Sequence, residues 1–255
     1  YSIESFKAKS ITENHISIEY NDNISINITF KPFKLTVLNT STSMKLLTLN
    51  THSMLSIDIN SVDFTYYSNY SNPVRSIGLP ARDSHFFLTP TIVEQQQNSE
   101  IKGEPYRIFN CDTGGFRPPK EYSVYGAINF LQSENSAVFY SNSSDTFVDL
   151  IHHPNSDKDR VDAHFLSNSG PIDLFLFFGN RLQTTSQFTK LTGPTFFPSL
   201  SNFGFGHSKW GIKDQEECES ILHFLNELIN HNDGFNSTLF DCKYLKIRID
   251  PKNAE

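Results

Sequence analysis

The sequence predicts a mainly β chain, with a β-sandwich over residues 1–195 and a strand, a helix and a second strand over residues 196–255. Up to about residue 190, short runs rich in β-branched and aromatic residues are broken by Asn, Ser, Asp, Gly or Pro. Such breaks at intervals of about 8 to 12 residues are typical of a sandwich. A long helical spacing of apolar residues begins only after residue 214, which indicates a second architecture.

The first strands are predicted from the alternation of apolar and polar residues. Apolar residues occupy the even positions of 24–30 and polar residues lie between them, so one face of this strand is expected to be buried. Pro32 ends the strand because it lacks a ladder donor, and residues 33–38 form the next strand. Residues 136–151 are read as strand, polar turn and strand. Residues 94–104 lack an apolar pattern and are expected to be an exposed loop.

The end of the sandwich is predicted from composition. The run "IDLFLFFG" over residues 172–179 is so apolar that we expect a strand buried on both faces. The polar stretch after it has a helical spacing in Leu182, Phe188 and Leu191. Residues 194–200, bounded by prolines, then mark the predicted domain boundary.

The last 60 residues predict one βαβ unit. "NFGFG" is expected to be a short strand, and Asp214 to cap a helix whose apolar positions run from Cys218 to Ile229. "CKYLKIRI" is the second strand. A βαβ unit cannot bury its sheet alone, so this stretch is predicted to begin a second domain.

Composition excludes several function classes. The formal charge is -7 and only 19% of residues are charged, so no electrostatic footprint for nucleic acid is present. No window is long and apolar enough for a membrane span. Three cysteines allow at most one disulfide. They form no CxxC or His/Cys pattern of the kind that binds zinc. His152 and His153 are adjacent and face opposite ways on a strand, so we expect no metal site and no cofactor.

The compartment is predicted from N-glycosylation sequons. Because the chain is rich in Asn, Ser and Thr, chance occurrence of this pattern is an equal alternative. The two sequons in the strand before Pro32 would present their asparagines to solvent. We expect a secreted protein or one of the endoplasmic-reticulum lumen. The acceptor asparagines are Asn23, Asn27, Asn39, Asn69, Asn142 and Asn236.

Four segments, in order along the chain, resemble glycoside hydrolase family 31. "SIGLPARDSHFFL" looks like the family's "GIPE" segment, and "GEPYRIFNCD" followed by "VYGAINFL" is similar to "GDPYRLYNLD" and "LYGSVPFL". "DAHFLSNSGPIDLFLFFG" resembles "HFMSESGIIDVFLLLG", and residues 191–217 follow "LTGxxxLPPLxxLGYHQSRWxYxDEEE". The resemblance covers roughly residues 77–250 and is greatest to the glucosidase II α-subunit branch of the family. It implies a mutarotase-like β-sandwich followed by the first βαβ segment of a (β/α)8 barrel.

The resemblance implies a retaining α-glucosidase that acts on α-linked glucose of oligosaccharides or N-glycans. Such enzymes need two carboxyl groups about 5 Å apart. In the family both are aspartates of later barrel strands, and the nucleophile lies in "WxDMNEP". The only tryptophan of this sequence, Trp210, belongs to "HSKW" instead. We therefore expect no catalytic residue in this chain, and no hydrolysis by these 255 residues alone.

Four residues are carried over as substrate-binding candidates. Asp112 matches the aspartate that the sandwich domain sends into the barrel mouth, with an Asx-turn role before two glycines as an equal alternative. His207 and Trp210 match the family's "HQSRW", where packing is the alternative role. A gap-free match of "DCKYLKIR" to "DVIWLDIE" places Lys246 at a sugar-binding Asp and Arg248 at a Glu. Either the register of residues 241–250 differs or the sugar site has diverged.

Three hypotheses follow. The first is that the chain is one part of an α-glucosidase whose substrate is an oligosaccharide. Its partners would be the remaining barrel chain and a glucosidase II β-like subunit. The second is a non-catalytic homologue serving as a carbohydrate-binding or subunit-docking module, favoured by Lys246 and Arg248. The third, an unrelated lectin-like sandwich, requires all four motif matches to be accidental.

Overall fold

A computed structural model of the chain describes most residues up to 198 and a few beyond. The described residues are 6–20, 22–67, 74–82, 84–94, 99–110, 123–153, 160–198, 206–208, 220, 223 and 246–248, with 206–208 and 246–248 described by their backbone alone. The chain divides into two compact units, Tyr1–Gly193 and Pro194–Glu255. None of the helical residues described forms a segment long and apolar enough to cross a membrane.

The first unit is built from strands. In chain order they are β1 (Lys7–Ile11), β2 (His15–Tyr20), β3 (Ile24–Phe30), β4 (Phe33–Asn39), β5 (Met44–Leu49), β6 (Ser61–Tyr67), β7 (Ile77–Gly78), β8 (Ile92–Glu94), β9 (Ser99–Ile101), β10 (Tyr106–Ile108), β11 (Phe130–Gln132), β12 (Ser136–Tyr140), β13 (Thr146–His152), β14 (Arg160–Ser167) and β15 (Leu174–Phe178). The one helix among its described residues is α1 (Arg181–Thr192).

The large sheet has the order β1-β2-β3-β4-β5-β6-β14-β13-β8-β9, and β10 also pairs with β13. Strands β1 to β6 form an antiparallel meander in which each strand pairs with the next one along the chain. The meander is joined to the later strands by antiparallel pairing of β6 with β14. Asp63 is the register partner of His164, and Thr65 is the partner of Asp162.

The small sheet, of order β15-β12-β11-β7, packs on one face of the large sheet. Alternate side chains of both sheets form the core. Phe165 makes edge-to-face contacts at its centre, with ring centroids 5.7 Å from Phe64 and 5.9 Å from Tyr140. The prediction of a mainly β chain with a β-sandwich is thus confirmed by these two sheets.

The helix α1 covers the other face of the small sheet. It begins with a capping box, in which Asn180 Oδ1 accepts from the Gln183 amide over 3.0 Å and Gln183 Oε1 accepts from the Asn180 amide over 2.9 Å. Phe188 stacks on Phe130 with centroids 4.3 Å apart. Buried Gln132 donates to the hydroxyl of Thr184 over 2.9 Å. A helix is therefore present where the helical spacing was noted, with Phe188 packed on the sheet and Leu182 84% exposed.

Two sequence expectations need correction. Strand β15 has apolar contacts on both faces, but four of its five residues are only half-buried because it is the edge strand of the small sheet. Within the expected loop 94–104, Ser99–Ile101 pairs with β8 as strand β9. All three β9 side chains are exposed, so backbone pairing forms this strand without an apolar pattern. The predicted break at Pro32 is present, with a cis Lys31–Pro32 peptide between β3 and β4.

The second unit is described at a few positions only. Strands β16 (Gly206–Ser208) and β17 (Lys246–Arg248) pair in parallel, and Ser220 and His223 between them are helical. The helix cap predicted at Asp214 lies outside the described residues, as do the first four residues of "NFGFG". The domain assignment at residue 195 and the membership of this unit in a barrel stay predictions.

Candidate functional site

The substrate-binding residues predicted by resemblance fall mainly where the structure gives no side chains. Asp112 and Trp210 lie outside the described residues. His207 and Lys246 are described by backbone alone: His207 is the register partner of Ile247, and Lys246 is the partner of Gly206. Their backbones thus belong to neighbouring parallel strands, one register step apart. Their predicted sugar contacts stay predictions.

The predicted glycan acceptors differ in their surroundings. Asn23 is exposed just before β3, whereas Asn27 and Asn39 are half-buried. The side-chain nitrogen of Asn142 donates to the Tyr140 hydroxyl over 3.0 Å and to two carbonyls near Gly170 over 2.8 and 3.2 Å. That nitrogen is the atom to which a glycan is joined. Asn69 and Asn236 lie outside the described residues.

A polar group that sequence reasoning missed lies on the large sheet, on the face turned away from the core. Val62, Phe64 and Phe165 of β6 and β14 point into the core. By alternation, Asp63 and Asp162 point the other way. Beside them lie His52, Glu94 and His153, contributed by three further segments. We call His52, Glu94, His153 and Asp162 the histidine–carboxylate cluster.

Asp162 is the centre of this cluster. Its side chain is only 2% exposed, and Oδ2 faces Nε2 of His52 at 2.7 Å and Nε2 of His153 at 2.5 Å. Burial by itself raises the pKa of Asp162, but the hydrogen bond from His153 and the charges of His153 and His52 outweigh it and leave the pKa lowered. Asp162 is therefore a buried carboxylate at neutral pH.

The second oxygen of Asp162, Oδ1, is enclosed by protein atoms. A side-chain hydrogen bond with Thr65 also lowers the pKa of Asp162, and the Thr65 hydroxyl lies 2.8 Å from the hydroxyl of Thr51. Oδ1 of Asp162 is buried with no hydrogen-bond partner among the residues that the structure describes. Such an oxygen costs free energy unless a donor reaches it.

His153 links two carboxylates. Its Nε2 faces Asp162, and its Nδ1 lies 2.9 Å from Glu94 Oε2. His153 thus bridges a buried and a half-exposed carboxylate. The His52 ring lies nearly parallel to that of His153, with centroids 6.5 Å apart. The result is a chain of contacting polar groups from the buried Asp162 to the half-exposed Glu94.

Asp63 holds the segment that carries His52. Its two carboxylate oxygens accept from the backbone amides of His52 and Met54 over 2.9 and 3.2 Å. Asn50 adds two bonds, accepting from the Leu55 amide over 2.9 Å and donating to the Phe33 carbonyl over 2.6 Å. The loop between β5 and β6 is thereby fixed over the end of β14.

His164 flanks the cluster as a neutral group. Its Nε2 lies 2.7 Å from the Ser61 hydroxyl. Burial lowers the pKa of His164, against the opposing charges of Asp63 and Asp149 and together with that of His52. His164 is therefore neutral at pH 7.

These side chains surround a cavity of about 60 Å³. Its lining combines the histidine–carboxylate cluster with Asp63, His164, Met54, Ile151 and Ala163. Charged and hydrogen-bonding atoms thus share the cavity with apolar carbon. Nothing in the described part of the chain forms a group of three or more His, Cys, Asp or Glu able to hold a metal ion.

Sequence reasoning missed this group because its members are far apart along the chain. His52 and Asp162 are separated by 110 positions. The only local signal is the alternation of Asp162 and His164 with the apolar residues of stretch 161–166. His153 was considered as half of a histidine pair, whereas the structure pairs it with Asp162 and Glu94 and leaves His152 Nε2 buried without a partner in the described residues.

Comparison with protein families gives one match over residues 4–149. The matching family is described as the glycosyl hydrolase 31 N-terminal galactose mutarotase-like domain. Those 146 residues are more than half of the 255-residue chain. They include the cluster members His52 and Glu94 but end before His153 and Asp162.

Curated relatives extend the likeness. The chain is 33% identical over 120 residues to "Glucosidase 2 subunit alpha" of Saccharomyces cerevisiae, covering 46% of this chain and 12% of the relative. It is 32% identical over 153 residues to the protein of the same name from Schizosaccharomyces pombe, covering 56% and 16%. The chain thus spans less than a fifth of the length of these relatives.

A solved structure shows the same fold. The crystal structure of the ER glucosidase II heterodimeric complex, of a catalytic subunit with the binding domain of the regulatory subunit, matches with a TM-score of 0.74 at 19% identity. The match covers 89% of this chain and 28% of the chain in that structure. The sandwich arrangement found here is therefore that of a known structure.

Proposed function

Since the chain belongs to glycoside hydrolase family 31 and carries its N-terminal galactose mutarotase-like domain, we propose that it is part of a retaining α-glucosidase acting on α-linked glucose of oligosaccharides or N-glycans. The observation that carries the proposal is the family match over residues 4–149. The relatives named glucosidase 2 subunit alpha support the same activity. Hydrolysis then needs the two carboxylates of a barrel that these 255 residues do not contain.

In this proposal Asp112 contributes a sugar contact. A carboxylate can accept directed hydrogen bonds from two neighbouring hydroxyls of a sugar. His207 and Trp210 are proposed as further substrate contacts at the end of the first barrel strand, where barrel sites are built. The proposed compartment is the endoplasmic-reticulum lumen or the secretory pathway beyond it, and the proposed partner is a glucosidase II β-like subunit.

The test is a chromogenic α-glucoside assay on the native protein, with its intact mass measured on the same sample. We expect activity in a species that includes a barrel, and none in the 255-residue polypeptide expressed alone. In the active species, Asp112→Asn should lower kcat/KM at least about tenfold, the value of one lost charged contact. Asp145→Asn, at an exposed position of the sandwich, is the matched control. Full activity of Asp112→Asn would remove Asp112 from the site.

The second candidate function is a non-catalytic module that binds carbohydrate or docks a subunit. Lys246 and Arg248 favour it, because they place donors where the family has carboxylate acceptors. A single native species of about this length that is folded, glycosylated and inert towards the glucoside would establish this function in place of hydrolysis.

A further inference from the structure

Two N-glycosylation sequons meet at one end of the meander. Asn23 immediately precedes β3, and Asn39 is the last residue of β4. Asn39 is the register partner of Ile24, the residue that follows Asn23. The Thr40 amide, next to Asn39, donates to the Asn23 carbonyl over 2.9 Å. Both acceptor asparagines are therefore held at the same end of the large sheet by backbone hydrogen bonds.

The side chain of Asn39 is held by its own sequon. Its Oδ1 accepts from the Ser41 hydroxyl over 2.7 Å and from the Thr42 amide over 3.1 Å, which is an Asx-turn. Ser41 is the third residue of this sequon. The side-chain nitrogen, the atom to which a glycan is joined, has no acceptor among the described residues. The turn thus engages the oxygen of the amide and leaves the nitrogen available.

Asn23 is accessible for a different reason. It is exposed and lies in the turn between β2 and β3, where Asp22 has a positive φ of 44°. No acceptor for its side-chain nitrogen lies in the described part of the chain. A surface turn accommodates a bulky oligosaccharide without disturbing the sheet. Asn27, by contrast, lies in the middle of β3, half-buried between its register partners Ser17 and Thr36.

The sequon at Asn142 has the opposite arrangement. The Asn142 side-chain nitrogen donates to the Tyr140 hydroxyl over 3.0 Å and to two carbonyls within residues 169–171 over 2.8 and 3.2 Å. Its Oδ1 accepts from the Ser144 amide over 2.8 Å. The space is tight, since a Cβ on Gly170 would lie 2.9 Å from the nitrogen. A glycan would replace one of the two hydrogens of this nitrogen and displace the chain around it.

We propose that the folded domain carries N-linked oligosaccharides on Asn23 and Asn39 and none on Asn142. The donor is an oligosaccharide joined to a lipid diphosphate. A bond forms between the side-chain nitrogen and the anomeric carbon, the bond from that carbon to the diphosphate breaks, the nitrogen loses one proton and the lipid diphosphate leaves. The modification rests on the secretory compartment of the proposed function.

The experiment maps the glycans on the secreted protein. The 255-residue chain is directed into the secretory pathway of a eukaryotic host by an added signal peptide. The folded, secreted fraction is treated with peptide N-glycosidase in heavy-oxygen water, which converts each glycan-bearing asparagine to a labelled aspartate. Peptide mass spectrometry then reads each position. We expect the label at positions 23 and 39 and an unlabelled, unmodified Asn142.

Variants count the glycans independently. Asn23→Asp and Asn39→Asp should each remove one glycan from the secreted chain, seen as a step in gel mobility that the glycosidase abolishes. Aspartate keeps the acceptor oxygen of the Asx-turn at position 39 but lacks the nitrogen. Ser144→Ala is the matched control: it destroys the sequon at Asn142 without changing that side chain, and the mobility should stay that of the parent chain.

A glycan on Asn142 in the folded, secreted chain would overturn the proposal. An unmodified Asn23 or Asn39 in the same fraction would also overturn it. If the chain is not secreted, the same three variants are compared after translation into microsomes, where unchanged mobility of Asn23→Asp or Asn39→Asp has the same meaning. No hydrolysis is involved, so this proposal and the α-glucosidase proposal can fail separately.

Discussion

The two sheets of the sandwich cover their outer faces in opposite ways. The small sheet places Phe130, Phe139, Phe175 and Phe177 on its outer face, and Phe188 of α1 packs among them. The large sheet places Asp63, Asp162 and His164 on its outer face, next to His52 and His153. Aromatic packing stabilises through buried area, whereas a buried charged group is stabilising only if every member is paired. The comparison teaches that one outer face is stabilised by buried apolar area and the other by contacts between buried polar groups.

The largest effect on the free energy of unfolding is expected at the aromatic outer face of the small sheet. Phe177 is buried between Phe130 and Phe188, with ring centroids 6.0 and 6.1 Å away. Phe177→Ala should lower the free energy of unfolding by about 3 kcal/mol, from lost burial and the cavity left behind. Urea denaturation measures it. Leu182→Ala, at a helix position 84% exposed, is the control and should change stability by less than about 0.5 kcal/mol. A loss below about 1 kcal/mol for Phe177→Ala would show that α1 does not cover the sheet.

A smaller loss of stability is expected at the polar outer face of the large sheet. Asp162→Asn keeps the side-chain shape but removes the charge that His153 and His52 contact, and should cost about 2 kcal/mol. Asp145→Asn at an exposed position should be neutral within about 0.5 kcal/mol. The same urea series compares the two. An Asp162→Asn variant more stable than the parent would mean that burying this carboxylate costs more than its two partners return.

The helix that covers the small sheet depends on its first turn. Asn180→Ala removes the side-chain oxygen that accepts from the Gln183 amide, and should destabilise by about 1 kcal/mol. Ser186→Ala, exposed in the middle of α1, is the comparison within the same helix. The unfolding temperatures of the two variants are compared by thermal unfolding followed by circular dichroism. Equal unfolding temperatures for both variants would exclude a stabilising role for the capping box.

The smallest effect is the response to pH on the polar side. The folded-state pKa of His164 is lowered by burial, so between that value and the ordinary value near 6.5 the unfolded chain binds more protons. This contribution to stability is fully present above pH 6.5 and is lost as pH falls through the folded-state pKa. The contribution of Asp162, whose pKa is also lowered, is lost only below about pH 4. We expect lower stability at pH 5.5 than at pH 7.5, and a smaller difference in His164→Asn. An unchanged difference in that variant would assign the response to other groups.

Elements with a local period could be predicted from the sequence, and contacts between distant segments could not. The alternation in residues 24–30 and the helical spacing of Leu182, Phe188 and Leu191 are properties of one segment, and the structure has β3 and α1 there. Strand β9 was missed because its polar side chains leave only backbone pairing as a signal. The histidine–carboxylate cluster was missed because its four segments meet through pairing of β6 with β14, β14 with β13 and β13 with β8. Family motifs could direct attention to the barrel, but they carried no information on this face.

The pairing of β6 with β14 also has a consequence for synthesis on the ribosome. Strands β1 to β6 pair with their chain neighbours, so they can associate as soon as they emerge. Asp63 must wait for His164, its register partner about a hundred residues later, which takes about 5 to 20 s at translation rates of about 5–20 residues/s. Until then one edge of the nascent meander is open to chaperones and to other chains. Formation of the histidine contacts to Asp162 would therefore report that the domain has closed.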